Sequence, residues 1–275
     1  MDRPRQGTIG SPVQVRGIGL HSGRPEQMVL RPGPLDSGIL FRRKARPETA
    51  IRARLAAVTG TAGRVTLGGS GGVQTVEHLL SAAWASGVSN MEVELDGGEV
   101  PGMDGSALPI FHALQEAGPR PQEGFRPVLR LHEPIWVGEG DAWAVALPAP
   151  RFAVACMVTL ETPGLEDLAA TFDPARDRYE EVIAPARTWG YERDAERLRR
   201  QGVALGASLQ NTLVIGGRGF LNRPRFPNEP ARHKVLDMLG DLTLTGCDIQ
   251  AYVITVRAGH RLHVALAKAL CARGG

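Results

Sequence analysis

VEHLLSAAWASGVSNMEVEL, residues 76–95, has a counterpart in HKVLDMLGDLTLTGCDIQAYVITV, residues 233–256. Each stretch has a helical pattern of apolar residues that stops at a glycine, then a short polar connection, then a strand-forming run. We therefore predict one helix over about residues 76–85 and another over about residues 231–244. The recurrence of this unit indicates two halves of related architecture and thus a duplicated α+β layer fold.

The segments outside these two units are mostly strand-like and are joined by turns rich in glycine and proline. The stretch GPRPQEGFRP, residues 118–127, has three prolines and two glycines and is the best candidate for an interdomain linker. We predict an N-terminal α+β domain over residues 1–120 and a C-terminal α+β domain over residues 126–275. The glycine-rich tract 68–72 lacks the Lys-Ser/Thr of a P-loop, so it is better interpreted as a hairpin connection.

The composition fits a globular protein and gives no sign of nucleic-acid binding. Of the 275 residues, 43% are hydrophobic, enough for a substantial core, and the net charge is only +3. The densest group of arginines, between Arg193 and Arg200, alternates with acidic residues and is typical of a solvated helix. A nucleic-acid-binding protein would concentrate its positive charge on one face. We expect no nucleic-acid partner.

The cysteines and the hydropathy indicate a cytoplasmic protein. The three cysteines are widely spaced in or beside apolar runs, which favours reduced thiols over disulfides or metal ligands. The first ten residues lack the apolar centre of a signal peptide. No uncharged apolar stretch approaches the roughly 20 residues that span a bilayer. We expect no transmembrane segment.

A histidine and an aspartate are placed four residues apart in the second helical unit, at His233 and Asp237. On a helix, side chains four apart lie on one face. An imidazole and a carboxylate in this arrangement can bind zinc, which takes three protein ligands in a typical catalytic site. His112 and Glu116 have the same spacing in a segment that we assign to an ordinary amphipathic helix. The spacing alone therefore does not show that His233 and Asp237 bind a metal.

Glu77 and His78, at the start of the first unit, supply a carboxylate and a third metal ligand, which the second unit lacks. His78 offers a third ligand, and the neighbouring Glu77 cannot point the same way as the histidine. Zinc hydrolases use such a carboxylate to take a proton from water whose pKa the metal lowers. His260, just after the last predicted strand, could act as an acid.

Other catalytic arrangements are missing from the sequence. It contains no G-x-S-x-G motif, no H-E-x-x-H motif and no convincing Cys/His pair. The histidines His112, His132 and His263 have no partner at an informative spacing. Metal-assisted hydrolysis is therefore the best supported chemistry.

The chain resembles the UDP-3-O-acyl-N-acetylglucosamine deacetylases, the zinc amidases of lipid A biosynthesis, nearly from end to end. Six blocks carry the resemblance: VRGIGLHSG (residues 15–23), TVEHL (75–79), PGMDGS (101–106), IAPARTWG (183–190), RHKVLDMLGD (232–241) and AGH (258–260). Six blocks in the family's order are far more specific than any one of them. The resemblance implies two related α+β domains, each a two-layer α/β sandwich, with the active site at the domain interface.

The resemblance also implies a role for individual residues. Zinc would be bound by His78, His233 and Asp237, with Glu77 as the general base. The other implied roles are His260 as the cationic acid, Asp241 as the residue that tunes it, Thr188 as a hydrogen-bond donor to the oxyanion, Lys234 as the partner of the substrate's phosphates, and His21 and Trp189 as further substrate contacts.

The implied substrate is a UDP-sugar with an ester-linked acyl chain, from which the enzyme would release acetate. We expect a monomer. Two alternatives stay open: a divergent zinc deacetylase that acts on another N-acetylated nucleotide sugar, and a non-catalytic relative that binds a nucleotide sugar.

Two departures from the family's pattern concern the acyl chain. After His260 the family usually has Leu-Asn, where this chain has RLHV at residues 261–264. The family's insertion that builds an acyl-chain passage is expected after about residue 157. Here residues 159–168 read TLETPGLEDL, with three acids and without the family's His-Pro element. The metal and acid–base residues thus match, whereas the expected acyl-recognition residues differ.

Overall fold

The computed structural model describes residues 4–274. In the first part of the chain, strands and helices follow in the order β1 (Arg5–Ile9), β2 (Val13–Ile18), β3 (Pro25–Pro32), β4 (Ile39–Arg43), β5 (Arg46–Arg52), β6 (Val58–Gly60), β7 (Thr66–Leu67), β8 (Val73–Gln74), α1 (Glu77–Ala85), β9 (Met91–Leu95) and α2 (Leu108–Glu116).

The second part of the chain continues with β10 (Pro119–Phe125), β11 (Val128–Arg130), β12 (Ile135–Glu139), β13 (Ala142–Pro148), β14 (Ala153–Thr159), β15 (Asp167–Phe172), α3 (Tyr179–Val182), β16 (Trp189–Tyr191), α4 (Ala195–Arg200), β17 (Leu213–Gly216), β18 (Gly219–Phe220), α5 (Glu229–Thr243), β19 (Asp248–Val256) and α6 (His260–Arg273). No helix within residues 4–274 is long and apolar enough to cross a membrane.

Two large sheets share the topology of five strands, and the second sheet has β11 in addition, paired with β19. The first has the order β2-β3-β9-β4-β5 and the second has the order β12-β13-β19-β14-β15. In both, the central strand is antiparallel to the second strand and parallel to the fourth. In each half a helix directly precedes the central strand in the chain: α1 precedes β9, and α5 precedes β19. The predicted α+β fold with two related halves is therefore confirmed.

The central strands β9 and β19 show why these sequences form half-buried strands. Along both strands buried and partly exposed residues alternate, with Met91, Val93 and Leu95 inside in the first and Ile249, Ala251 and Val253 inside in the second. This period of two gives each sheet one apolar face. That face must be covered, and the helices cover it.

The two sequence units form the helices at the centre of the molecule. α1 packs against α5 and α2, while α5 also packs against α6, β14 and β15. The glycines Gly87 and Gly246, which follow α1 and α5, have φ values of +69° and +71°. This left-handed conformation favours glycine and ends both helices where the sequence predicts.

The predicted linker, residues 118–127, contains a strand. Its residues Pro119–Phe125 form β10, which pairs antiparallel with β1. Pro119 and Pro121 fit into this two-stranded sheet because proline is tolerated where a strand has a free edge. The boundaries of the two domains stay a prediction.

The structure also corrects the expectation for residues 159–168. They are the end of β14, a short turn and the start of β15. The three acids of this segment are engaged at its surface: Glu161 pairs with Arg193, Glu166 accepts from the Gly164 amide, and Asp167 accepts from Thr159. A separate small sheet, β16-β17-β18, lies between β15 and α5, in the place that the sheet β6-β7-β8 has between β5 and α1 in the first half. The acids therefore belong to a hairpin turn and are no argument against an acylated substrate.

Candidate metal centre and active site

Three buried side chains from α1 and α5 converge at the crossing of these helices. His78 lies in the first turn of α1, and His233 and Asp237 lie one turn apart on α5. Asp237 Oδ1 is 3.8 Å from His78 Nε2 and 3.3 Å from His233 Nε2. One donor atom from each of the three residues lies within 4.8 Å of the others. The spacing of four residues on α5 and the first turn of α1 thus give one cluster.

The chemistry of this cluster fits a divalent metal such as zinc. Burial lowers the pKa of His78 to about 3, and burial also lowers the pKa of His233, so both imidazoles keep a free lone pair at neutral pH. Burial acts against the charged form of Asp237, but His233 and Lys234 hold its pKa well below the ordinary value. Two neutral imidazoles and one carboxylate are a donor set that zinc prefers.

The ring of His233 is oriented by a backbone carbonyl. Its Nδ1 lies 3.1 Å from the oxygen of Ala186, to which it donates. A ligand histidine commonly donates its second ring nitrogen in this way, which fixes the tautomer and directs Nε2 at the metal. The contact therefore adds to the fit of the site for a metal ion.

Glu77 is the first residue of α1 and lies beside the cluster. The amide of Val65 donates to its Oε2 at 3.1 Å, while its Oε1 is 3.7 Å from His260 Nε2. Burial raises the pKa of Glu77 to about 7, against the opposing charge of His260. A carboxyl group with a pKa near neutrality can accept and release a proton at physiological pH.

His260 faces Glu77 from the start of α6. Its Nδ1 donates to Asp241 Oδ2 at 2.8 Å, and its Nε2 is 3.9 Å from Asp237 Oδ2. Burial opposes the charged imidazolium, but the carboxylates of Asp241, Asp237 and Glu77 raise the pKa of His260 to about 10. A protonated imidazole therefore lies opposite a carboxylate, with the three-residue cluster beside them.

Two histidines that the sequence left without partners have them in the structure. His263, on α6, is fully buried and donates to Asp241 Oδ2 at 2.9 Å. His112 is exposed and lies 2.9 Å from Glu180. Neither contact is visible as a spacing in the sequence, since the partners are 22 and 68 positions away. His263 follows His260 by three residues, which on a helix puts both rings on one face. That spacing would have been a signal if the helix α6 had been predicted.

Asp241, His260 and His263 also meet the distance criterion for a metal cluster. Their contacts are different in kind, however. Both imidazole Nδ1 atoms lie at hydrogen-bond distance from one carboxylate oxygen, which is the geometry of N–H donors on an acceptor. This group is a hydrogen-bonded triad, whereas the three-residue cluster on α1 and α5 is the candidate metal centre.

The other residues that the resemblance singled out lie around the cluster. Lys234 donates to Asp237 Oδ2 at 2.7 Å, and its Nζ lies 5.9 Å from the centre of the Trp189 ring. Thr188 is fixed through its backbone, since its amide donates to Gly105. His21 accepts a long hydrogen bond of 3.4 Å from the Ala204 amide, and burial lowers its pKa to about 4.

A buried ion pair that sequence reasoning missed ties this region together. Glu229, at the start of α5, has no exposed surface and accepts from the backbone amide, Nε and Nη2 of Arg187. It also accepts from the Arg225 amide at 2.6 Å. The pair holds the segment that contains Ala186 and Thr188 against α5. The two residues are 42 positions apart, so no local pattern predicts the contact.

A cavity opens next to His260. It has a volume of about 310 Å³ and is lined by residues that include Lys234, Arg257, His260 and Arg261. Three of these side chains are permanent cations, and Arg257 and Arg261 pair with Asp141 and Glu139 on the β12–β13 hairpin. Each of the three cations is paired with a carboxylate, Lys234 with Asp237 and the two arginines with Asp141 and Glu139, so an anionic ligand in this cavity would share them with these acids.

The chain is similar to one known protein family along nearly its whole length. A family model described as UDP-3-O-acyl N-acetylglycosamine deacetylase matches residues 6–272. Three relatives bear the name UDP-3-O-acyl-N-acetylglucosamine deacetylase. The one from Syntrophus aciditrophicus is 38% identical over 96% of this chain and 85% of its own length. Those from Thermosynechococcus vestitus and Myxococcus xanthus are 38% and 39% identical, over 96% and 94% of this chain and 93% and 83% of their own lengths. The chain therefore belongs to the UDP-3-O-acyl N-acetylglycosamine deacetylase family.

Proposed function

We propose that this protein is a zinc-dependent amidase that removes the N-acetyl group of UDP-3-O-acyl-N-acetylglucosamine and releases acetate, a step of lipid A biosynthesis. The family supports the reaction and the substrate, since the relatives carry that name. The observation that carries the proposal is the cluster itself. A three-residue donor set, a carboxyl group with a pKa near 7 and a protonated imidazole lie together in the interior.

His78, His233 and Asp237 would hold the zinc ion. A bound Zn²⁺ supplies a Lewis acid, which polarises the amide carbonyl and makes water a stronger acid. Lys234, which donates to Asp237 Oδ2, leaves the other oxygen of that carboxylate facing the two imidazoles. The ion pair thus orients Asp237 for its role as a ligand.

Glu77 acts as the general base. Its Oε2 is held by the Val65 amide, so Oε1 is the oxygen that takes the proton of the attacking water. Because the side chain is fixed at the first turn of α1, next to His78, the base and the ligand keep a constant relative position. General bases in such positions typically contribute about 10²- to 10⁴-fold to the rate.

His260 acts as the acid. Its Nδ1 is occupied by Asp241, which leaves Nε2 as the nitrogen that donates a proton to the departing amine. When water adds to the amide carbonyl, negative charge develops on its oxygen, and the Thr188 hydroxyl would donate a hydrogen bond to it. Glu77 is thus the proton acceptor of the reaction, and His260 is the proton donor.

The cavity beside His260 would receive the nucleotide-sugar. Its cations Lys234, Arg257 and Arg261 suit the negatively charged diphosphate of the UDP group. His21 and Trp189 would contact the sugar or the nucleotide from the sides. The three acids of residues 159–168, which the sequence presented as a reason to doubt an acylated substrate, lie in a hairpin turn.

Metal analysis and an acetate-release assay test the proposal. The purified protein should contain about one zinc per chain at its single three-residue centre. It should release acetate from the acylated UDP-sugar faster than from UDP-N-acetylglucosamine. A preference for the unacylated sugar would favour the divergent deacetylase, and a protein that binds the UDP-sugar but releases no acetate would be the non-catalytic relative.

A further inference from the structure

Two imidazole rings converge on one oxygen of Asp241. Oδ2 lies 2.8 Å from His260 Nδ1 and 2.9 Å from His263 Nδ1. Asp241 and His263 have no exposed surface, and His260 is only 6% exposed. An ionised carboxylate only accepts hydrogen bonds, so both Nδ1 atoms must carry the proton. Each ring therefore donates to the same acceptor.

The second oxygen of Asp241 has no such support. Across residues 4–274, Oδ1 is buried and has no hydrogen-bond partner. The torsion that turns a carboxylate about its last carbon–carbon bond is soft, with broad minima. The orientation of Asp241 therefore depends on the two imidazole donors alone. With one donor removed, a single hydrogen bond would have to hold both the carboxylate and the ring that it orients.

The orientation of Asp241 in turn decides where His260 points. With Nδ1 bound to Asp241, His260 Nε2 lies 3.7 Å from Glu77 Oε1 and 3.9 Å from Asp237 Oδ2. A rotation of the carboxylate would carry the ring of His260 away from these positions. His263 has no hydrogen bond or ion pair with Glu77 or Asp237 in the described chain. Its ring meets that of His260 edge-on, with 6.1 Å between the centroids, and its polar link to the site runs through Asp241.

We propose that His263 is a positioning residue, which holds Asp241 so that His260 presents Nε2 to the reacting amide. This inference rests on the proposed function and names a further residue on which the reaction depends. The contribution of His263 is a single N–H donor at the place of its Nδ1. A side chain that merely fills the space would not need that donor.

Three substitutions separate the donor from the volume of the ring. His263→Asn places an amide N–H near the position of Nδ1, because Asn Nδ2 is the same number of bonds from the backbone. His263→Gln extends the amide one carbon further, towards the position of Nε2. His263→Leu is apolar and has an N–H donor at neither position. A positioning role predicts that activity follows the donor at Nδ1 and not the size or polarity of the side chain.

Steady-state kinetics on the zinc-loaded protein with the acylated UDP-sugar should give the following order. His263→Asn keeps most of the wild-type kcat, whereas His263→Gln and His263→Leu lose about 10- to 100-fold, the usual effect of removing a residue that orients a catalytic group. Zinc content stays at the wild-type value in all three, because no ligand is replaced, and KM changes less than kcat, because His260 is the only cavity-lining side chain that the proposal moves. Equal loss in all three variants, or a wild-type kcat in His263→Leu, would overturn the proposal.

Nuclear magnetic resonance of the imidazole nitrogens tests the same inference without turnover. The wild-type protein and His263→Asn should show His260 as a single species in which the Nδ1 proton is hydrogen-bonded and Nε2 also carries a proton, and His263→Leu should lose or split the Nδ1 signal. An unchanged His260 signal in His263→Leu would contradict the positioning role. If the wild-type protein released no acetate, the proposed function would fail, while this measurement would still decide the role of His263.

Discussion

A Cβ atom on Gly240 would lie 2.1 Å from the backbone carbonyl oxygen of Glu77. The first turn of α1 therefore rests directly on the backbone of α5. This contact places Glu77 and His78 within reach of residues one turn earlier on α5, among them Asp237. The glycine is thus a condition for the candidate metal centre, although it contributes no ligand.

Gly240→Ala should destabilise the protein and weaken metal binding together. The neighbouring atom is backbone, so it cannot turn aside, and the helices have to separate. Overpacking of this kind costs about 1–3 kcal/mol. Thermal unfolding and zinc titration would measure both effects. Gly217→Ala is the matched control, because a Cβ there meets nothing within 4 Å. A wild-type zinc affinity in Gly240→Ala would show that the ligands do not depend on this contact.

His78→Ala should lose zinc as well as turnover. Removing one of three ligands opens the site, and metal binding depends on a complete donor set. His112→Ala is the control, since it removes an exposed histidine paired only with Glu180. Metal analysis after dialysis would compare the two variants. A wild-type zinc content in His78→Ala would rule out His78 as a ligand.

Glu77→Gln should bind zinc like the wild-type protein but have a much lower kcat. The amide can still accept from Val65 but cannot take a proton from water, so kcat should fall by about 10²- to 10⁴-fold. Zinc content should not change, because Glu77 is outside the proposed ligand set. Glu116→Gln, an exposed residue on α2, controls for the loss of one carboxylate. Substantial activity in Glu77→Gln would remove Glu77 from the mechanism.

The rate should depend on pH with a bell-shaped profile. Glu77 must be ionised, so activity falls on the acid side; burial raises its pKa to about 7, and a bound cation moves that limb to lower pH. His260 must be protonated, so activity falls again on the alkaline side; its neighbouring carboxylates raise its pKa to about 10, and the bound cation moves this limb to lower pH as well. Asp241→Asn removes the carboxylate that contributes most to that raised pKa and should move the alkaline limb to lower pH. Measured values of kcat/KM that rise steadily with pH would contradict this assignment.

The buried pair Arg187–Glu229 should make the protein sensitive to acid. Burial acts against the charge of Glu229, but hydrogen bonds from Arg187 lower its pKa in the folded state. The resulting stability is present above the pKa of the unfolded chain and is lost as pH falls through the lower, folded value. Glu229→Gln should cost about 3–5 kcal/mol at neutral pH, since it leaves a buried guanidinium unpaired.

Thermal unfolding over a range of pH would test this. The difference in unfolding free energy between wild-type protein and Glu229→Gln should narrow in acid, because the wild-type carboxylate is then protonated and uncharged, like the amide of Gln. Glu180→Gln breaks pairs at the surface and should have little effect at any pH. An equal difference at neutral and acid pH would exclude the ion pair as its source.

Local patterns predicted the parts of the fold and site that depend on neighbours in the sequence. These parts are the two helices with the glycines that end them, the strands that follow, and the pair His233 and Asp237 on one helix face. Contacts between distant segments were missed. His263 meets Asp241 across 22 positions. The prolines of residues 118–127 resembled a linker because a proline-tolerant edge strand and a loop have the same composition.

Gly87 and Gly246, which follow the equivalent helices, are 159 positions apart, the same separation as His78 and Asp237. A symmetric dimer of identical half-length chains would carry the same residue at both places. In a single fused chain, the two equivalent positions can hold different groups. One residue before His78, the first half has Glu77, the proposed base, where the second half has Leu236. The joining of the two repeats therefore allows a division of labour that a symmetric pair could not have, and it leaves one reaction centre in a molecule built from two similar halves.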